Sequence, residues 1–217
     1  MTDKALALTV KDELFWDPKV VDSEEIAVSA EDGTVTLRGT VGSLRQKREA
    51  KSAAERVHGV VFVENDLSVR ILTESRRLDA DVRGDVLQAM LLDSLIPANV
   101  DAKVQDAYVT LSGTVDWQYQ RDEAAFVAGN ILGVLGVDNE IVVDNAARTI
   151  TGVTDAIQSA FKRDAKIDAD NLSVATSNGT VTLSGSVRSW SEHDAAVAAA
   201  WAAPGVTTVN DRLTVSY

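Results

Sequence analysis

Cysteine is absent from the 217 residues, so the chain has no disulfide framework, no thiol nucleophile and no thiolate metal site. Imidazole ligands are nearly absent too. The two histidines, His58 and His193, lie far apart and outside any HExxH-like spacing, which removes the usual zinc sites. No twelve-residue calcium loop occurs among the scattered acids, and the glycines match neither a Walker nor a dinucleotide fingerprint. No cofactor or metal is therefore expected. Basic residues are in deficit, 21 against 33 acidic, giving a net charge of −12. Such a field repels nucleic acid and anionic membranes alike, so nucleic acid is not an expected partner, and an anionic partner needs a local basic patch.

No apolar run approaches membrane-spanning length, and the opening MTDKALALTVKDELFW lacks a basic region followed by an apolar core. A cytoplasmic protein without a transmembrane segment is the expectation, or a periplasmic one if the sequence is a processed form with a new Met1. What is present is ordinary for a chain that buries a core, with 45% hydrophobic and 25% charged residues.

Self-similarity organises the chain. GTVTLRGTV (Gly33 to Val41), AYVTLSGTV (Ala107 to Val115) and GTVTLSGSV (Gly179 to Val187) superimpose without gaps. The same shifts, Val35 to Val109 and Val35 to Val181, carry Gly59-Val60 onto Gly133-Val134 and Gly205-Val206. They also carry VENDLSV (from Val63) onto VDNEIVV (from Val137) and VNDRLTV (from Val209). Two distant blocks agreeing at one offset in three copies identify a tandem repeat.

Each repeat opens with an amphipathic segment: Leu6, Val10 and Leu14; then Val82, Val86 and Met90; then Val153, Ala156, Ala160 and Phe161. Alternation in Ile26, Val28, Val35, Leu37 and Val41 predicts a β-hairpin. Asp32-Gly33 and Asn178-Gly179 are tight-turn dipeptides, whereas Asp106-Ala107 is expected to turn differently. Ser43 with Gln46 and Ser189 with Glu192 have capping-box spacing for a second helix, which Gly59, Gly133 and Gly205 end. Its core stripe runs Ala50, Ala53, Ala54, Val57 in the first copy, Ala124, Val127, Ala128, Ile131 in the second and Ala196, Ala199, Ala200, Ala203 in the third. The polar Asn65, Asn139 or Asp211 that interrupts the last strand is expected to satisfy nearby backbone at a strand irregularity.

The expected fold is α+β: three tandem αββαβ modules over residues 1–72, 76–146 and 149–217, each a small three-stranded mixed sheet covered by two helices. Units this small are expected to pack on one another, and the linkers Leu72 to Ala80 and Asp144 to Gly152 are short and polar.

The order helix, strand, turn, G-x-V-x-L-x-G-x-V, helix, G-V, V-x-N-x-L-x-V resembles the BON (bacterial OsmY and nodulation) domain, three times over. Pro204-Gly205-Val206 with Asp211 to Val215, and Val115 to Arg121, are similar to the signal-less three-BON proteins of bacteria. The resemblance implies a non-catalytic module associated with osmotic or envelope stress and proposed to bind phospholipid or protein partners. A purely structural or chaperone-like interaction role without a lipid ligand is the alternative. No clustered acid, base or nucleophile argues for an enzyme.

Two surface features stand out. Arg45, Lys47, Arg48, Lys51 and Arg56 against Glu49 and Glu55 leave the second helix of the first repeat at +3, and they are the expected ligand-binding residues for an anionic head group or acidic partner. Tyr119, Phe126, Trp190 and Trp201 fall away from the alanine stripes and are expected to pack between repeats or meet a partner. On a helical wheel Trp201 lies roughly 150° from its own stripe, too far to join its module's core.

Overall fold

The computed structural model describes residues 2–70, 77–144 and 152–216, so the two linker stretches fall largely outside it. By compactness the chain divides into two units, Met1–Gly113 with Asp122–Ile141, and Thr114–Arg121 with Val142–Tyr217.

The first repeat runs α1 (Asp3–Trp16), β1 (Ile26–Glu31), β2 (Thr34–Val41), α2 (Leu44–Glu55) and β3 (Phe62–Val69). Strand β2 is central, antiparallel to β1 and parallel to β3, so the sheet is mixed. A parallel pair needs a crossover, and α2 supplies it. Leu6, Val10 and Leu14 of α1 and Ala50, Ala53 and Ala54 of α2 cover one face of the sheet and share a core with Ile26, Val35, Leu37, Val63 and Leu67. Alanines on α2 let the crossover helix lie close to the strands. The other face is polar, with Thr36 Oγ1 donating to Glu64 at 3.1 Å and Arg38 paired to Asp66 at 3.4 Å.

The second repeat runs α3 (Asp79–Leu92), β4 (Asp101–Gln105), β5 (Tyr108–Ser112), β6 (Thr114–Val115), α4 (Gln118–Gly129), β7 (Gly136–Asn139) and β8 (Val142–Val143). The third runs α5 (Val153–Arg163), β9 (Leu172–Ser177), β10 (Thr180–Val187), α6 (Trp190–Trp201) and β11 (Thr208–Val215). In both, the strand after the hairpin turn again stands between an antiparallel and a parallel neighbour.

Capping follows the sequence. Ser43 Oγ accepts the Gln46 amide at 3.2 Å and Ser189 Oγ the Glu192 amide at 3.1 Å. The returning side chains reach one residue beyond the cap, Gln46 Oε1 to the Gly42 N–H at 2.9 Å and Glu192 Oε2 to the Arg188 N–H at 2.8 Å. Glu192 is buried, and its other oxygen accepts the Asp168 N–H at 2.7 Å.

Two local expectations are corrected. The core-facing stripe of α5 is the part-buried Val153 with the buried Ile157 and Phe161, rather than one through Ala156 and Ala160, because Ile157 buries far more surface and matches Val10 and Val86 at the same four-residue spacing. Asp106-Ala107 does not turn differently. Its φ values of 51° and 66° match Asp32-Gly33 at 47° and 81° and Asn178-Gly179 at 48° and 77°. Ala107 tolerates the left-handed conformation because Asp79 of α3 accepts both turn amides, at 2.8 and 3.0 Å.

The last glycine of G-x-V-x-L-x-G is required by space as well as by conformation. Gly39, Gly113 and Gly185 have φ of 134°, 138° and 131°, and a Cβ there would stand 2.0, 2.6 and 2.2 Å from the carbonyl oxygens of Glu25, Asn99 and Asn171.

Candidate binding surfaces

The cations of α2 do not form one open patch. Arg56 turns back on its own module, paired to Asp17 at 2.6 Å and Glu13 at 2.9 Å, both contributed by the end of α1. These contacts and the Lys19 amide hold the Asp17 carboxyl below its ordinary pKa, the amide most strongly. Lys51 pairs with Glu55 at 3.4 Å, while Arg45 and Lys19 converge on Glu49 at 4.0 and 3.0 Å. Arg48 reaches the second repeat. Its guanidinium lies 4.8 Å from the centre of the Phe126 ring and donates to Asn130 Oδ1 at 2.7 Å and the Phe126 carbonyl at 3.4 Å. Burial lowers its pKa, yet the group stays a cation. Lys47 and Arg48 have no ion-pair partner among the described residues, and Arg48 is held instead by the second repeat.

The four aromatics separate into two kinds. Tyr119 is exposed, and Phe126 is exposed apart from the face that Arg48 covers. Trp190 and Trp201 instead pack half-buried on the margin of the third module's own core. The wheel expectation for Trp201 is corrected accordingly. Cβ direction alone does not place a long indole in the last helical turn, where it can sweep back over the core's edge.

The interrupted last strand behaves as expected of backbone satisfaction. Asn65, Asn139 and Asp211 each accept, through Oδ1, the amide two residues on, at 3.3, 3.2 and 3.0 Å. The first and third modules differ in the second side-chain atom. Asn65 Nδ2 donates to the Lys47 carbonyl at 2.7 Å, which a carboxylate cannot do. Asp211 takes His193 Nε2 at 2.7 Å, and His193 occupies the position of Lys47. The imidazole also meets Asp194 Oδ1 at 3.1 Å and packs at a tilt against Trp190, ring centres 4.8 Å apart. His193 is half-buried, and the Asp194 and Asp211 contacts outweigh burial to raise its pKa.

Large apolar groups stand exposed elsewhere. Phe15 and Trp16, stacked edge to face at 5.3 Å, are 59% and 78% exposed at the end of α1, and Leu91 and Leu92 are 77% and 78% exposed at the end of α3. Among the described residues no group of three or more His, Asp or Glu side chains could hold a metal ion, and no helix is long and apolar enough to cross a membrane.

The pattern that defines the BON domain matches this chain three times, over residues 2–71, 78–145 and 149–217. The chain belongs to the BON domain family. Osmotically-inducible protein Y of Escherichia coli strain K12 is 34% identical over 146 residues, 65% of this chain and 72% of that protein. Two solved structures of CdsD, a structural protein of the type III secretion system of Chlamydia trachomatis, are 14% and 13% identical. They cover 96% and 100% of this chain and 91% and 100% of theirs, with TM-scores of 0.26 and 0.27, a likeness too weak to bear on fold or function.

Across the three BON modules the exposed pairs occupy one aligned position, immediately after the last buried residue of the first helix. Leu14, Met90 and Phe161 are followed by Phe15-Trp16, Leu91-Leu92 and Lys162-Arg163. The sequence carried a signal for this surface, since two consecutive large apolar residues cannot both continue a stripe of four-residue spacing. Only the alignment of the repeats distinguishes the surface pair from core.

Proposed function

We propose that this BON protein is a non-enzymatic binding and scaffolding protein of osmotic or envelope stress, whose partners are phospholipid or protein. The observation that carries the reading is the pair of exposed apolar helix ends, Phe15-Trp16 and Leu91-Leu92, on the two modules that hold every exposed large hydrophobic side chain among the described residues. The likeness to an osmotically inducible protein supports the stress association. Of the α2 cations first read as ligand-binding, Arg45 is exposed with only a 4.0 Å ion pair and Lys47 is part-exposed, and Tyr119 is a further exposed aromatic.

Co-sedimentation with neutral and anionic liposomes at two salt concentrations tests the lipid half. Binding that Trp16→Ala weakens and salt leaves unchanged marks apolar insertion, whereas binding that salt and Arg45→Glu abolish marks the cations. No binding to either liposome leaves the protein-interaction or chaperone-like alternative, with Trp16→Ala then expected to lower partner capture. The cytoplasmic expectation draws no support from the likeness to the osmotically inducible protein, and fractionation of the native host decides between cytoplasm and periplasm.

A further inference from the structure

The three modules finish the turn end of their sheets in different ways. In the first, Asp3 in the opening turn of α1 accepts the Asp32 amide through Oδ1 at 3.2 Å. In the second, Asp79 in the opening turn of α3 accepts the Asp106 amide at 2.8 Å and the Ala107 amide at 3.0 Å, one through each oxygen. The third repeat has Ile150 in the aligned position, which carries no carboxylate. Helix α5 begins at Val153, which aligns with Leu6 and Val82, one turn later than its sisters, and Gly152 before it provides no side-chain cap. Among the described residues no side chain, Asp155 in the first turn of α5 included, bonds the amides of Asn178 or Gly179.

An open cleft of about 380 Å³ lies beside this turn, lined by Val153, Thr176, Asn178, Gly179, Gly205 and Thr207 among others, and none of the described residues that line it is charged. Its chemistry has moved from apolar to hydroxylic. Thr207 stands where the other modules have Val61 and Leu135, with its hydroxyl 3.4 Å from the Gly179 carbonyl, and the Thr154 and Thr176 hydroxyls pair at 2.7 Å beside it. The turn here has the same left-handed pair of residues as its sisters, so it turns the same two amides outward. The uncapped start of α5 adds donors and the positive end of a helix dipole.

We propose that this cleft is a carboxylate-binding site, receiving from a partner peptide the group that Asp3 and Asp79 supply internally to the other two modules. An acidic side chain and a peptide C-terminus both present that group. The inference goes beyond the binding role proposed above and uses none of the exposed helix ends, so either can fail without the other.

The test is an amide-resolved NMR titration of the full isotope-labelled chain with sodium acetate, against sodium chloride at equal ionic strength. Two short peptides follow, one with an internal aspartate and an amidated C-terminus, the other with a free C-terminus and no acidic side chain. Expected are saturable shifts at Asn178 and Gly179 in acetate but not chloride, no response at Asp32, and a response to at least one peptide that tells which carboxylate is preferred. Asp79→Ala is the internal calibration, since emptying the second module's site should make Asp106 and Ala107 acetate-responsive as well. Equal response to acetate and chloride at Asn178 and Gly179, or an acetate response without either peptide's, overturns the proposal. So does silence at these amides in the wild type, whether or not Asp79→Ala folds.

Discussion

The first and third modules share a backbone plan and differ in how they treat one helix. Helix α1 begins with a carboxylate that closes the hairpin turn and ends in Phe15-Trp16 exposed to solvent, whereas α5 begins a turn late beside an open cleft and ends in Lys162-Arg163. The core-facing positions between these ends correspond: Leu6, Val10 and Leu14 against Val153, Ile157 and Phe161, of which Val153 is only partly buried. Duplication has held the core and let both ends of the helix diverge, so the ends are where the modules' separate roles are to be sought.

The comparison is broken most severely at what the modules hold in common. Gly39→Ala and Gly185→Ala force a Cβ into a backbone carbonyl at a φ that alanine rarely adopts, and each is expected to cost about 3 kcal/mol or more. Gly113→Ala, with its nearest oxygen at 2.6 Å, should cost least of the three, and urea titrations that rank it highest would refute the steric account.

Next comes Trp201, packed half-buried on the third core while its aligned residues are Glu55 and Gly129. Trp201→Ala is expected to remove about 2 kcal/mol, less than a fully buried tryptophan would lose. The loss should fall on the third module alone, read from amide exchange in β9 to β11. A loss spread equally over all three modules would instead assign Trp201 to packing between them.

His193 offers a smaller, pH-dependent contrast. Its pKa is raised above 6.5 in the folded protein, so the stabilisation is complete below the unfolded value and disappears as pH rises through the folded one. Its size should be about 1 kcal/mol, the worth of a charge-assisted hydrogen bond that keeps some solvent access. His193→Gln should flatten the stability of the third module over that window. A profile that keeps its slope in His193→Gln would place the titration elsewhere.

The smallest effect has the opposite sign. Ala107→Gly relieves a left-handed alanine and should stabilise the second module by up to about 1 kcal/mol, while Gly33→Ala and Gly179→Ala lose a similar amount in thermal melts.

Much of this was legible in the sequence because the repeat reports each position three times. The alternation of Val35, Leu37 and Val41, the Ser43 and Ser189 caps and the Ala50 to Val57 stripe all depend on neighbours a few residues away. What escaped depends on distant chain. The turn at Asp106-Ala107 looks unfavourable until Asp79, 27 residues earlier, is brought to it. Arg56 looks like an open cation until α1 delivers Glu13 and Asp17. The stripe of α5 runs through Ile157 rather than Ala156 and Ala160, because one large apolar side chain outweighs two small ones in buried area. Among the candidate site residues, their direction on α2 and α4 could be read, but not that Arg48 and Phe126 would meet, since they lie 78 residues apart.

The register of the parallel pairs bears on how the chain folds. Thr34 pairs with Phe62 and Val41 with Val69, and in the third module Thr180 pairs with Thr208 and Val187 with Val215, a constant separation of 28 residues. Every strand partner of the first and third modules thus lies within the same repeat, which keeps the loops to be closed short and the contact order low for a chain of this length. The first sheet can form as soon as Val69 has emerged from the ribosome, before any of the second repeat is synthesised. Assembly can proceed vectorially, with each finished module shielding its own hydrophobic strands while the next is made.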